Sequence, residues 1–165
     1  LAYQSDINQP GRILQVVKGS EVVTGNSTPL QNEYREINTA YRTTFNLKST
    51  NPQLKVTWVC NGELDGTMPR TACRFYASVG FSSVVAYGRP MFFGSPNDTD
   101  IQQAASSTVT NMFPVTAVGG SEVTVTIYWS SENDATGSNI NFGQTWSQFG
   151  NVPMASFLIV EEIAT

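Results

Sequence analysis

Between residues 53 and 60 the large apolar side chains fall at every second position: Leu54, Val56, Trp58 and Cys60 lie on one face of an extended chain, with Lys55, Thr57 and Val59 on the other. That period of two belongs to a β-strand with one buried face, because successive Cβ atoms of an extended backbone point to opposite sides. The alternation recurs. Tyr41, Thr43, Phe45 and Leu47 stand against Arg42, Thr44, Asn46 and Lys48, and Val123, Val125, Ile127 and Trp129 against Thr124, Thr126 and Tyr128. Trp58 and Trp129 therefore belong to the core. Between such runs lie turn formers: Gly119-Gly120 suits a two-residue hairpin, since glycine reaches positive φ cheaply. Asp65-Gly66 is a second turn candidate, within a loop over residues 61–69. Pro114 sits in a strand-like run, which predicts an edge or a bulge. The single segment that reads as a helical turn is 99–105. The pattern predicts an all-β fold of short antiparallel strands, a sandwich or barrel, and no repeat of solenoid length points to a β-helix.

The two ends of the chain break the alternation. Residues 11–17 read Gly11-Arg12-Ile13-Leu14-Gln15-Val16-Val17, and residues 155–165 contain the unbroken apolar run Phe157-Leu158-Ile159-Val160. Runs of this kind suit strands covered on both faces. A single sandwich covers one face of a strand. The second cover is either a set of loops over a central strand or another subunit across a symmetry axis, and Ile13, Val17, Phe157, Leu158, Ile159 and Val160 are the candidates for that interface.

At 165 residues the chain is long enough for one domain that buries roughly two-thirds of its unfolded surface. Residues 11–165 are read as that domain and residues 1–10 as a linker from a preceding segment. Charged residues make up 13%, about half the roughly 25% of ordinary soluble domains, so the surface is coated with neutral polar groups or partly hidden by a partner. The net charge of −4 argues against nucleic acid, whose binders concentrate Lys and Arg. Nine basic and six acidic residues precede or include Arg89, a balance of +3, and seven acidic residues with no base follow it, a balance of −7. Strands from both halves interleave in an all-β fold, which would average this asymmetry out; the other reading is complementary faces meeting between subunits. No stretch approaches the roughly 18 apolar residues of a membrane span.

The chain has no histidine, which removes Ser-His-Asp and Cys-His chemistry. A glycosidase would need two carboxyl groups about 5–10 Å apart across a cleft. The candidate pairs are Asp98 with Asp100, Glu132 with Asp134, Glu63 with Asp65, and Glu161 with Glu162. Acidic residues at these spacings in Asn-, Ser- and Gly-rich loops read as turn formers, so the chain is read as not an enzyme, without cofactor or metal. A calcium site at Asp98 and Asp100, or at Glu132, Asp134 and Asn139, lacks EF-hand spacing. Cys60 and Cys73 flank the loop around Gly66 and would face each other on adjacent strands if that loop closes a hairpin. A disulfide would then need Cα atoms within about 7 Å; two buried free thiols are the other reading.

Gly11 followed by Ile13-Leu14-Gln15-Val16-Val17, the Ser/Thr-rich short strands, and the terminal Ser156-Phe157-Leu158-Ile159-Val160-Glu161-Glu162-Ile163-Ala164 together resemble the C-terminal, distal domains of bacteriophage tail fibres, including those of phages of aquatic bacteria. The resemblance spans residues 11–165, and its specific part is confined to the two end strands. It implies a jelly-roll-like antiparallel β-sandwich that forms a homotrimer at the fibre tip of the virion. It also implies attachment to a host cell-surface receptor, a glycan or an outer-membrane component, with an upstream fibre or other virion protein as a further partner. The alternatives are a structural virion protein with no receptor and a carbohydrate-binding, lectin-like module.

In such a fold the strands are scaffold and the contacts come from loops and rims. Sugar binding needs aromatic faces for C–H stacking and polar groups for hydroxyls. Three stretches carry that mixture: residues 87–90 with Tyr87 and Arg89, residues 131–141 with Asp134, Asn139 and Asn141, and residues 144–149 with Trp146. Trp146 as a core aromatic and Tyr87 as the cap of a sandwich edge are the competing readings.

Overall fold

In a computed structural model the chain is described over residues 9–20, 25–27, 33–65, 71–80, 84–87, 91–93, 103–131, 139–142 and 155–165. These residues contain β1 (Ile13–Lys18), β2 (Gly25–Ser27), β3 (Arg35–Glu36), β4 (Thr43–Asn46), β5 (Gln53–Asp65), β6 (Thr71–Val79), β7 (Val84–Tyr87), β8 (Met91–Phe93), β9 (Gln103–Pro114), β10 (Glu122–Ser131), β11 (Asn139–Phe142) and β12 (Phe157–Ile163). One 3-10 turn, Thr39–Tyr41, precedes β4, and Asn38 caps it by accepting the Ala40 N–H at 2.8 Å.

Several strands are collinear pieces of one row. β12 and β11 follow each other along one edge of β5, while β9 occupies the other edge; β3 and β4 share one edge of β10; β7 and β8 share one edge of β6. Merging the pieces leaves eight rows. Numbered along the chain, the first sheet runs 1-8-3-6 (β1 and β2, β12 and β11, β5, β9) and the second 2-7-4-5 (β3 and β4, β10, β6, β7 and β8). Row 1 pairs with 8, 2 with 7, 3 with 6 and 4 with 5. This is a long antiparallel hairpin folded double, the wrapping of a jelly roll.

The core fills the space between the sheets. Leu54, Val56, Trp58 and Cys60 of β5 and Leu158 and Val160 of β12 face Cys73, Phe75 and Ala77 of β6 and Val123, Val125, Ile127 and Trp129 of β10, none more than 2% exposed. Each larger member contributes about 1.5–3 kcal/mol by leaving water. The alternation at 41–48, 53–60 and 122–129 thus holds, and Pro114 ends β9, an edge strand among the described residues.

The hairpins expected from the turn signals are absent. Gly119 and Gly120 do form a turn, with φ of +89° at Gly120 and the Ser121 N–H donating to the Val118 carbonyl at 3.1 Å. It carries the chain from β9 in one sheet to β10 in the other. Likewise β5 and β6 lie in different sheets, so Cys60 and Cys73 do not oppose one another as strand neighbours. Both are buried free thiols. Residues 103–105, read as the end of a helical turn, belong to β9; residues 99–102 lie outside the described residues.

Burial pushes the Cys60 and Cys73 thiols up to about 12 from the ordinary 9, with the nearby Cys73 adding to the effect on Cys60. Unfolded thiols ionise near 9 and folded ones only near 12. Their contribution to stability is therefore whole below the lower value and lost as pH rises through the window. The native protein should resist an aromatic disulfide reagent at neutral pH and react at both cysteines in urea, and its urea midpoint should fall as pH rises across that window. Rapid native labelling would contradict the burial.

The end strands are antiparallel neighbours, joined from Ile13 opposite Ile163 to Lys18 opposite Ile159. Their environments differ from a strand covered twice. β12 is an inner row whose Leu158, Val160 and Glu162 face the core and whose Phe157, Ile159, Glu161 and Ile163 are half-buried on the outer face. Leu158 and Val160 are covered within the chain, which removes them from the surface a partner could touch. Val17 lies opposite Val160 and packs against the core. β1 is an outer row, and Ile13 and Val16 are 50% and 59% exposed.

Among the buried polar residues described, one carries a carboxylate. Glu162 is 0% exposed; its carboxylate accepts the Lys48 N–H (2.9 Å to each oxygen), the Ser49 N–H (2.8 Å), the Ser49 hydroxyl (3.1 Å) and the Gln15 side-chain amide (2.5 Å). These bonds fasten β1 and the turn after β4 to the last strand.

Candidate functional site

The outer face of the second sheet gathers what a recognition surface needs. In β6, Cys73, Phe75 and Ala77 point inward, which turns Arg74 and Tyr76 outward; in β10, Ile127 and Trp129 point inward, which turns Thr126 and Tyr128 outward. Register then sets Tyr128 between Arg74 and Glu36, and Tyr76 between Thr126 and Tyr87. The Tyr76 and Tyr128 rings touch, with centroids 4.2 Å apart and planes at 46°. The Arg74 guanidinium lies over the Tyr34 ring, 3.4 Å from its centroid. Thr126 is only 8% exposed although it faces away from the core, because this aromatic layer lies across it.

The far side of the layer holds an ion pair. Arg42 Nε and Nη2 donate to the two oxygens of Glu36 at 2.8 and 2.7 Å, and the Thr126 hydroxyl donates to Glu36 Oε1 at 2.7 Å. Burial works to raise the Glu36 carboxyl, but the hydrogen bonds from Arg42 and Thr126 and the charge of Arg42 outweigh it and hold it below the usual carboxylate range. Burial and the neighbouring Glu36 charge push the Tyr128 phenol up. Burial would also lower Arg74, yet hydrogen bonds and charge interactions with Tyr34 and Tyr76 leave it raised. Among the described residues the layer thus combines the tyrosine rings, the Arg42–Glu36 ion pair and the Arg74 guanidinium stacked on Tyr34.

Such a face can stack pyranose rings on Tyr76 and Tyr128 and meet their hydroxyls with phenol, carboxylate and guanidinium groups. Glu36 is bound bidentately by Arg42, which fits a positioning role rather than proton transfer. Glu161 and Glu162, a carboxylate pair on paper, point to opposite faces of β12, as successive strand residues must. Glu161 pairs with Lys55 at 2.5 Å on the outside.

Of the residues singled out in the sequence, Tyr87 belongs here by register, opposite Tyr76. Asn139 and Asn141 lie in β11 of the first sheet, opposite Asp65 and Glu63 of β5, and so do not join it. Arg89, Asp134 and Trp146 lie outside the described residues, as do Asp98, Asp100 and Glu132. Sequence reading missed Tyr34, Glu36, Arg42, Arg74, Tyr76 and Tyr128. A usable signal existed: Tyr76 and Tyr128 are large aromatics on the polar face of alternating strands, where packing does not require them.

The described residues also form two other surfaces. The outer face of the first sheet carries exposed Ile13, Val16 and Met112, the last 54% exposed, beside the Lys55–Glu161 pair and Lys18 over the Phe157 ring. An opening of about 440 Å³ at the end of the sandwich is lined by Lys48, Ser49, Thr50, Gly119, Ala164 and Thr165, a lining without an aromatic face.

No protein-family model matches the chain, and no curated protein matches it either. Among solved structures, a chain of infectious bursal disease virus, Gx strain, aligns over 99% of this chain and 36% of its own length, with a TM-score of 0.48 and 9% identity. The chain thus spans about a third of that viral protein. The CBM36-1 domain of a multidomain xylanase from the hindgut metagenome of Trinervitermes trinervoides aligns over 88% of this chain and 94% of its own, at TM-score 0.33 and 12% identity. The CBM22-1 xylan-binding domain from Paenibacillus barcinonensis aligns over 95% and 98%, at TM-score 0.33 and 10% identity. Likenesses this distant carry no functional argument, so the chemistry of the site rests on its own residues.

Proposed function

We propose that this chain is a non-catalytic glycan-binding domain that attaches a virion, as the distal part of a bacteriophage tail fibre, to polysaccharide on its host cell. The observation that carries the binding reading is the tyrosine layer on the second sheet, with Tyr76 against Tyr128, Arg74 over Tyr34, and Glu36 fixed by Arg42 and Thr126. The tail-fibre context comes from the resemblance of the two end strands. Ile13, Val16, Ile159 and Met112 on the first sheet supply a surface for the homotrimer, which leaves the tyrosine faces outward. Weak single sites would then act together, because tethered sites rebind at high effective concentration.

The test is adsorption of the purified domain to host cells and extracted surface polysaccharide, beside the Tyr76→Ala/Tyr128→Ala variant. Each aromatic contact is worth about 0.5–1.5 kcal/mol, so the double variant should bind roughly 5- to 150-fold more weakly. Light scattering of the same sample should give the mass of three chains. The exposed apolar residues of the first sheet would equally suit a purely structural virion protein, and adsorption unchanged in the double variant would move that reading ahead.

A further inference from the structure

We infer that Cys60 and Cys73 are a redox lock across the sandwich: two thiols in a reducing medium, one disulfide joining the sheets in an oxidising one. They are the two cysteines of the chain. Cys60 lies in β5 of the first sheet and Cys73 in β6 of the second. At 0% and 2% exposure, both point into the one core cluster between those sheets. Residues 66–70 alone separate the two strands, which ties the end of β5 to the start of β6. A bridge of aromatic contacts sets the two cysteines in one part of that core. Ser156 is a hydrogen-bonding partner of Cys60 and also of the Tyr41 hydroxyl. Tyr41 in turn lies between Ile37, whose N–H donates to the Ile127 carbonyl, and Thr43, which stands opposite Val125. Phe75, opposite Ile127, is two residues from Cys73. The thiols are close enough for charge on Cys73 to act on Cys60.

Facing sheets lie about 10 Å apart, and a disulfide brings its Cα atoms to about 4.4–6.8 Å. β-Sandwiches accommodate that approach, as in immunoglobulin domains, where a disulfide joins the sheets with a tryptophan packed on it. Here Trp129 stands opposite Cys73. The oxidant is a small disulfide, oxidised glutathione. One cysteine thiolate attacks it, forming a mixed disulfide and releasing one glutathione; the other cysteine thiolate attacks the protein sulfur of that bond and expels the second glutathione. The pair gives up two electrons and two protons, which leave on the two reduced glutathiones. With both thiols buried and raised to about 12, exchange in the packed sandwich is slow at neutral pH, because the thiolate is the reacting form. The state of the pair is therefore fixed by the medium in which the sheets come together. A chain that folds in a reducing cytosol keeps two thiols, the form that becomes reactive in urea, and one that folds outside it carries the bond.

The experiment refolds the full chain from urea in buffers of graded reduced and oxidised glutathione, quenches with acid and counts thiols by mass. A parallel series is held in urea throughout. If the fold brings the cysteines together, the refolded chain should keep its disulfide against a roughly 100-fold more reducing buffer than the unfolded chain does, the factor expected for closing a loop of about 15 residues. The thermal midpoint of the oxidised form should lie roughly 6–12 °C above that of the reduced form. Cys73→Ser should show one midpoint in both media. Protein made in a reducing and in an oxidising compartment gives the same comparison without refolding. A folded chain that holds the bond no better than the unfolded one would overturn the lock. So would a midpoint that falls on oxidation, or a refolded product that carries two free thiols or two glutathione adducts.

Discussion

Glu162→Ala is expected to lower the free energy of unfolding by about 3–5 kcal/mol, because it strands several hydrogen-bond donors at once. The side chain is 0% exposed and is surrounded by donors: the Lys48 and Ser49 N–H groups, the Ser49 hydroxyl and the Gln15 amide. Alanine deletes the acceptor and leaves those donors facing one another, and each buried donor without a partner costs about 1–3 kcal/mol. A domain of this size is stable by roughly 5–15 kcal/mol in all. Glu162→Gln keeps the shape and one oxygen but turns an NH2 toward backbone N–H groups, so it should cost less, about 1–3 kcal/mol. Urea unfolding reads both as a lower midpoint at constant slope. If alanine costs under about 0.5 kcal/mol, within the scatter of surface substitutions, the carboxylate is not what holds β1 and the turn at Lys48–Ser49 to the last strand.

Trp58→Ala should have a comparable effect, about 3–5 kcal/mol, because the cavity left by a buried aromatic is only partly closed by relaxation. Trp58 is 1% exposed at the middle of β5, opposite Leu158 on one side and Val109 on the other. Its ring meets Tyr41 edge-on, 6.0 Å between centroids at 86°, and the Tyr41 hydroxyl hydrogen-bonds Ser156. The indole therefore joins the inner rows of the first sheet to the 3-10 turn that leads into the second. In a domain of this length each kcal/mol moves the thermal midpoint by roughly 2–4 °C, so a fall of about 6–20 °C is expected. Tyr41→Phe removes only a hydroxyl and should cost about 1 kcal/mol. A Trp58→Ala protein that melts with the wild type would mean that the space between the sheets is filled differently.

Trp58 and Glu162 differ in how far their place in the fold is legible in the sequence. Trp58 was assignable to the core from its neighbours alone, because Leu54, Val56 and Cys60 share its parity in an extended chain. Glu162 was not, since beside Glu161 it reads as one of a pair of surface acids. Only the pairing of β12 with β1 and β5 sends it inward while Glu161 meets Lys55 outside. The cysteines show the same division. Their burial follows from alternation, but their relationship depended on whether β5 and β6 pair or belong to different sheets, and nothing local distinguishes these.

Alternation at 41–48, 53–60 and 122–129, the turn at Gly119-Gly120 and the near absence of helix signals determined an all-β chain and which face of each strand is apolar, because extended backbone geometry fixes those faces residue by residue. The tyrosine layer was decided elsewhere. Tyr34, Glu36 and Arg42 meet Arg74, Tyr76, Thr126 and Tyr128 across as many as 94 positions of sequence. They meet because β10 pairs with β3 and β4 on one edge and β6 on the other. Register between distant strands is set by the burial of whole sheets against each other, a cooperative property of the folded chain that no single segment carries.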